Sequence, residues 1–186
     1  MPGSPLRPFR RTINRSTLRL DFFDITTLDV DVVVSSDDLG LSMGAGVALA
    51  ILGAGGESVG REARAQAPLP LGGVAVTAAG RMRAKRVFHA AVLDPADRDS
   101  TTVELVTEVT GRCLALCDGM GYRSIAFPAL ATGAARLSLE RSAVAMLVEI
   151  ASHLRSPTGV RTVVLALYPR FAHVPRELAP RFYSGL

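Results

Sequence analysis

The chain has 186 residues, 48% of them apolar and 20% charged, with a formal net charge of +4. That is the size of one domain with a substantial core. No apolar run approaches the roughly 20 residues of a membrane span and no apolar leader opens the chain, so no membrane partner and a cytoplasmic location are expected.

The charge is unevenly spread. Arg7, Arg10, Arg11, Arg15 and Arg19 precede the first acid, Asp21, and without them 16 basic residues face 17 acidic ones. A near-neutral body argues against a nucleic-acid groove and leaves only weak electrostatic contact through the basic end. Residues 1–17 are therefore read as a basic, flexible N-terminal arm, and residues 18–186 as a single domain. Lys85 is the one lysine among 21 basic residues; with abundant Ala, Val and Gly, this suggests a GC-rich bacterial genome.

Residues 18–25, LRLDFFDI, alternate as a strand does, and residues 29–36, DVDVVVSS, form a near-continuous apolar strand suited to burial on both faces. The apolar stretch 47–51 leads into a helix whose exposed side carries Glu57, Arg61, Glu62 and Arg64. GGVAVTAAG and KRVFHAAV are two further strands joined by a basic turn. Val103, Val106, Val109, Cys113, Leu116 and Met120 recur at helical spacing. RSIAFPAL, residues 123–130, reads as a core strand, and residues 138–154 read as a helix with Ser138 at its N-cap. VRTVVLALY is the last strand, and VPRELAPRFY a terminal helical piece interrupted by Pro180. Strands alternating with helices predict an α/β fold: a three-layer α/β/α sandwich around a central mixed, largely parallel sheet.

Cys113 and Cys117 lie four apart on one helix face, and His89, His153 and His173 are far from them in sequence. This is no zinc spacing; buried free thiols are expected, and neither a metal nor a cofactor. His89, inside the strand VFHAAV, is read as a structural hydrogen-bonding residue.

In such a sheet, ligands gather beyond the carboxyl ends of the strands. Two loops rich in small residues, 42–46 and 131–135, each leave a buried strand and enter a helix, so together they could clamp a diphosphate with backbone N–H groups. The sequence holds no GxxxxGK[ST], and Leu49 stands where a dinucleotide fingerprint has its third glycine. Asp37 and Asp38 sit at the mouth of the first loop. A carboxylate about 6 Å from a phosphate is repelled by roughly 3 kcal/mol at an effective dielectric of about 20, so sugar hydroxyls suit these acids better as partners. A pair of solvated acids capping a turn is the plainer alternative.

The order of motifs resembles the macrodomain family, whose members bind ADP-ribose and sometimes hydrolyse its linkages. FDIT at 23–26, DVDVVVSSDD at 29–38 and GAGV at 44–47 are similar to the family's GDIT, DVDAIVNAAN and GGGV, while RMRAKRVFHAAV and RSIAFPALATGAARLSLERSA resemble two later stretches. The resemblance implies that Asp24 accepts the adenine amino group beside Ile25. It also implies that Gly44 and Gly46 admit the diphosphate and distal ribose, that Thr132, Gly133 and Ala134 donate N–H groups to phosphates, and that Leu167 or Tyr168 covers the adenine. The implied ligand-binding set is Asp24, Ile25, Ser35, Asp37, Asp38, Gly44, Ala45, Gly46, Val47, Ala131, Thr132, Gly133, Ala134, Ala135, Arg136, Leu167 and Tyr168, with Asp38 as a candidate catalytic base.

The departures bear on function. Where hydrolytic members carry a water-activating acid and a histidine, this chain has Ala48 and Leu52; a lysine used by another branch is absent from the glycine loop, and Ala135 and Arg136 replace an aromatic and a glycine. Binding of ADP-ribose or a related NAD-derived metabolite, as a reader or sensor, is the reading these changes leave foremost. An ADP-ribosyl hydrolase acting on an ADP-ribosylated substrate through Asp38 is the alternative, and a degenerate scaffold for protein interaction the third.

Overall fold

A computed structural model describes residues 9–167, apart from the side chain of residue 98. Eleven elements follow one another: β1 (Phe9–Ile13), β2 (Ser16–Asp21), β3 (Val32–Asp38), α1 (Gly46–Gly55), α2 (Glu57–Arg64), β4 (Val74–Ala78), β5 (Arg86–Leu93), α3 (Val103–Gly119), β6 (Ser124–Phe127), α4 (Leu139–Arg155) and β7 (Thr162–Ala166). The strands form one sheet in the order β1-β2-β7-β6-β3-β5-β4. β1 and β4, at its two edges, run antiparallel to their neighbours, and the five inner strands are parallel. The expected three-layer sandwich with a mixed, largely parallel sheet is what the chain forms.

The inner strands are apolar throughout because each feeds two cores. Val32 and Val34 of β3 pack with α3 and α4, among Val106, Val109, Met146 and Ile150; Val33 points the other way, toward Ile51, Val59 and Ala63 of α1 and α2. β6 and β7 alternate in the same manner, with Ile125, Phe127, Val163 and Leu165 on one side and Ala126, Val164 and Ala166 on the other. The period of two along a strand turns a continuous apolar run into two separate half-cores.

Thr102 and Ser138 cap α3 and α4 through their hydroxyls, which accept from the N–H groups of Leu105 and Arg141. Both cysteines are free and buried, and desolvation raises both thiols, Cys117 to about 12. They are packing groups, as the sequence suggests. Among the described residues no helix is long and apolar enough to cross a membrane.

Three sequence expectations shift. The strand expected over 18–25 ends at Asp21, and the chain turns into a short 3₁₀ segment, Ile25–Thr27. The strand expected over 29–36 starts later and runs through Asp38, so both aspartates end β3. Residues 1–17 are not an unstructured arm where they are described, since Phe9–Ile13 pairs along its whole length with β2, Phe9 opposite Leu20 and Ile13 opposite Ser16. The terminal stretch VPRELAPRFY lies outside the described residues.

The two sheet edges are finished differently. Along β4, side chains complete the ladder: the Gln66 amide donates to Val76 O at 3.0 Å and its oxygen accepts from Val76 N at 3.4 Å, while Glu62 accepts from Ala78 N at 2.9 Å. Along β1, Arg10, Arg11 and Thr12 are exposed, so water can satisfy outward-facing N–H and carbonyl groups there.

Candidate functional site

A crevice of about 810 Å³ opens at the carboxyl ends of the parallel strands. Its walls come from strand ends and the segments that follow them: Asp37 and Asp38 of β3, Val92 and Leu93 of β5, Pro128 and Ala129 after β6, and Ala166 and Leu167 at the end of β7. Residues 42–48 and 131–135 form two facing rims, and Phe23, Asp24 and Ile25 close one end.

Both rims hold unusual backbone. Leu41, Met43, Ala131 and Arg136 have φ between 50° and 61°, a region that non-glycine residues seldom occupy. Burial of Leu41 and Met43 in the α1/α2 core holds the first rim in place, and Ser142 Oγ, donating to Leu130 O at 2.6 Å, anchors the second from α4. Conformations of this kind persist where the surroundings over-determine them, and they gather at binding sites.

The consequence is a set of unpaired donors. The N–H groups of Thr132, Gly133, Ala134 and Ala135 have no acceptor among the described residues. α1 begins without a side-chain cap at Ala45, in contrast to α3 and α4, so its first N–H groups are also unsatisfied and its positive dipole end meets the crevice. A Cβ placed at Gly46 or Gly133 would touch nothing within 4 Å. Packing demands neither glycine; at Gly46 the backbone does, with φ +57°, whereas Gly133 has no such requirement and its bareness leaves room for something that approaches the backbone closely.

Among the described residues no basic side chain lines the crevice, whereas three carboxylates do. Two of these are tied into local turns. Asp24 Oδ1 accepts from Thr26 N at 2.9 Å and Thr26 Oγ1 at 2.7 Å, capping the 3₁₀ segment. Asp38 Oδ1 accepts from Gly40 N at 2.8 Å and Ser42 N at 3.2 Å, and its Oδ2 accepts from the Ser42 hydroxyl. Asp37 is different: its side chain is 1% exposed, Oδ2 lies 3.1 Å from His89 Nδ1, and Oδ1 has no hydrogen-bond partner among the described residues. His89, fully buried, lies with Nε2 3.0 Å from Thr77 Oγ1.

A sequence model of the family described as Macro domain matches residues 34–146. The chain belongs to that family. An uncharacterised protein of Aquifex aeolicus is 36% identical over 126 residues, covering 68% of this chain and 76% of that protein. An uncharacterised protein of Pyrobaculum aerophilum is 34% identical, covering 81% and 83%. The relatives thus include bacterial and archaeal proteins. The macrodomain spans only 39% of an uncharacterised Mycobacterium tuberculosis protein to which it is 34% identical over 145 residues. Among solved structures, the Oceanobacillus iheyensis macrodomain with ADP superposes with a TM-score of 0.84 at 22% identity, over 96% of this chain and 94% of that one. The Trypanosoma brucei macrodomain in complex with ADP-ribose gives 0.76 at 20% identity, over 90% and 68%.

Of the residues expected to bind ligand in this macrodomain, Asp24, Ile25, Asp37, Asp38, Gly44, Ala45, Gly46, Val47, Ala131, Thr132, Gly133, Ala134, Ala135 and Leu167 line the crevice. Ser35 does not: strand alternation turns it into the α1/α2 side of the sheet, where it is fully buried and its hydroxyl has no partner among the described residues. Arg136 is exposed and outside the crevice, its backbone closing the turn with Gly133 O at 3.0 Å. Tyr168 lies outside the described residues. Sequence reasoning missed Phe23, Ser36, Pro95, Pro128 and Ala129 in the lining. Phe23 carried a signal, a large apolar side chain beside Asp24 that is 50% exposed.

Proposed function

We propose that this macrodomain binds ADP-ribose or a related NAD-derived metabolite, as a reader or sensor, in the crevice between the two glycine-containing rims. The observation that carries this reading is the pairing of N–H groups on both rims, unsatisfied among the described residues, around one cavity. Backbone donors and a helix N-terminus are a sufficient anion site, and two of them face to face suit a diphosphate. At one end, Phe23 and Leu167 offer apolar cover for a base beside Asp24, whose Oδ2 can accept an exocyclic amino hydrogen. At the β3 end, Asp37 and Asp38 suit ribose hydroxyls.

Water activation by Asp38 has less support, because both of its oxygens already accept hydrogen bonds from Gly40 and Ser42. Calorimetric titration with ADP-ribose, followed in the same sample by chromatography of an ADP-ribosylated peptide, tests the reading. Saturable binding with an unchanged peptide is the expected result. Release of ADP-ribose would favour the hydrolase, and an absence of heat with ADP-ribose would overturn the assignment.

A further inference from the structure

The near-neutral charge of the domain hides a separation. Carboxylates gather at the crevice end: Asp24, Asp37 and Asp38 in the lining, Asp94, Asp97 and Asp99 in the segment after β5, and Glu104 and Glu140 in the first turns of α3 and α4. The opposite end of the sheet, where the parallel strands begin, carries the other sign.

That end is one continuous line of backbone. Thr17 N donates to Arg161 O at 2.8 Å, Arg161 N to Arg123 O at 2.7 Å and Arg123 N to the Asp31 carboxylate at 2.8 Å, while Lys85 N and Arg86 N donate to Asp31 O at 2.9 and 3.1 Å. Basic residues therefore stand at the starts of β7, β6 and β5, spanning three strand steps or about 14 Å. Arg15 precedes β2, and its neighbour Asn14 donates to Leu154 O and Arg155 O at 3.1 Å, which brings Arg155 of α4 to the same end. On the other flank the turn between β4 and β5 adds Arg81 and Arg83.

The acids here are mostly in structural use. Asp31 takes Lys85, the N–H groups of Arg123 and Ser124 and the Ser124 hydroxyl; Asp118 takes Thr158 Oγ1 and Gly159 N; Glu57 pairs with Arg64. Asp29 is exposed beside them. Most of the cations are not matched in this way. Arg81, Arg86 and Arg161 donate to carbonyl oxygens, which cancel no charge. Arg15, Arg83, Arg123 and Arg155 are exposed, and their guanidinium groups have no partner among the described residues. Charges of one sign collected on one end raise the local concentration of anions there.

An aromatic ring lies among them. Tyr122, half-buried and next to Arg123 in the chain, has Lys85 Nζ 5.8 Å from its ring centroid, and exposed Met120 lies two residues earlier. A line of cations alone suits any acidic chain. Cations with an aromatic ring between them suit phosphates that carry bases.

We propose that the amino-terminal end of the sheet binds single-stranded nucleic acid, with Arg15, Arg83, Arg123 and Arg155 on its phosphates and Tyr122 against a base. The surface is remote from the crevice, so both can be occupied together, and the inference stands whatever the crevice binds. The separation of charge also orients the molecule: the acidic end is pushed off the polyanion and the crevice faces outward.

Fluorescence anisotropy with a labelled oligothymidylate of about 16 nucleotides tests this; the probe has no adenine to enter the crevice. Four phosphate contacts predict that affinity falls roughly fiftyfold from about 50 to about 200 mM salt. Arg83→Gln, Arg123→Gln and Arg155→Gln combined should weaken binding about tenfold or more at the lower salt, with Tm nearly unchanged, since these side chains have no contacts to lose. Arg10→Gln, Arg11→Gln and Arg141→Gln combined remove the same charge elsewhere and should weaken it far less. Tyr122→Leu should weaken binding about fivefold, and Tyr122→Phe should keep it. No saturable binding at the lower salt, or equal losses in the two triple variants, would overturn the proposal. Polyglutamate binding as tightly as the oligonucleotide would put an acidic protein in place of nucleic acid. Excess ADP-ribose should leave the anisotropy unchanged, and displacement of the oligonucleotide would refute the location.

Discussion

Asp38 and Ser42 close the first rim upon itself: one carboxylate accepts from the Gly40 and Ser42 N–H groups and from the Ser42 hydroxyl. The acid at the end of β3 thus builds the loop that follows it. Asp38→Ala should lower stability by about 1–2 kcal/mol, seen as an earlier urea midpoint. Asp38→Asn keeps an acceptor oxygen for both N–H groups and should leave the midpoint nearly unchanged. Any peptide turnover that disappears in Asp38→Asn would identify proton transfer rather than loop formation as its role.

Asp24 separates capping from recognition. Its capping bonds fall on Oδ1 alone. Asp24→Asn should keep the 3₁₀ cap while losing the charge, and Asp24→Ala should lose both. Removal of a charge-assisted bond to a ligand costs about 1.5–3 kcal/mol, so calorimetry with ADP-ribose should show Kd rising tenfold or more in Asp24→Ala. An unchanged Kd would reject the adenine-end assignment.

Gly133 offers the reverse test. Nothing lies within 4 Å of a Cβ built there, so Gly133→Val should shift Tm by less than about 2 °C. If the crevice admits a diphosphate at this rim, the added branches occupy its place, and ADP-ribose affinity should drop at least tenfold by calorimetry.

Gly80 is needed for packing alone. It has φ +59°, and a Cβ there would lie 2.0 Å from Gly55 O, where the turn after β4 crosses the end of α1. Gly80→Ala should destabilise by about 2–4 kcal/mol, the sum of backbone strain and a clash with backbone that cannot rotate away. Urea denaturation measures it, and the folded fraction should bind ADP-ribose normally, since Gly80 does not line the crevice.

Acid should act through two structural carboxylates. Burial pushes Asp31 up, but bonds from Lys85, from the N–H groups of Arg123 and Ser124 and from the Ser124 hydroxyl together hold it below the ordinary carboxylate range. Asp118 is likewise pushed up by burial and brought down further by Thr158, Gly159 N and His153. A lowered folded-state value means that the unfolded chain takes up the proton first. The stabilisation is therefore complete above the ordinary carboxylate range and is lost as pH falls through the lowered values. Asp31→Asn with Asp118→Asn should flatten the acid limb of a Tm-against-pH curve.

The inner strands were legible because burial on two faces leaves an uninterrupted apolar trace, as in Val32, Val33 and Val34. β1 was not, because its pairing with β2 needs no apolar outer face and three of its five residues are polar and exposed. The rims could be read from small residues alone. Ser35 was misjudged since one step along a strand exchanges crevice for core. The Asp37–His89 contact depends on the β3–β5 register, in which His89 lies beside Ser35 and two residues short of Asp37; spacing within either strand carries no trace of it.

The outermost strand gives the arginine-rich beginning of the chain a different meaning. Two copies meeting edge to edge along β1 would bring Arg10 and Arg11 of each against those of the other, and the carbonyls between them could be reached only by desolvating four guanidinium groups. At the opposite border, Gln66 has already taken the N–H and carbonyl that an incoming strand would seek at Val76. The sheet is thus locked at one border and electrostatically shut at the other, and a seven-stranded surface open in geometry resists growth into a fibre.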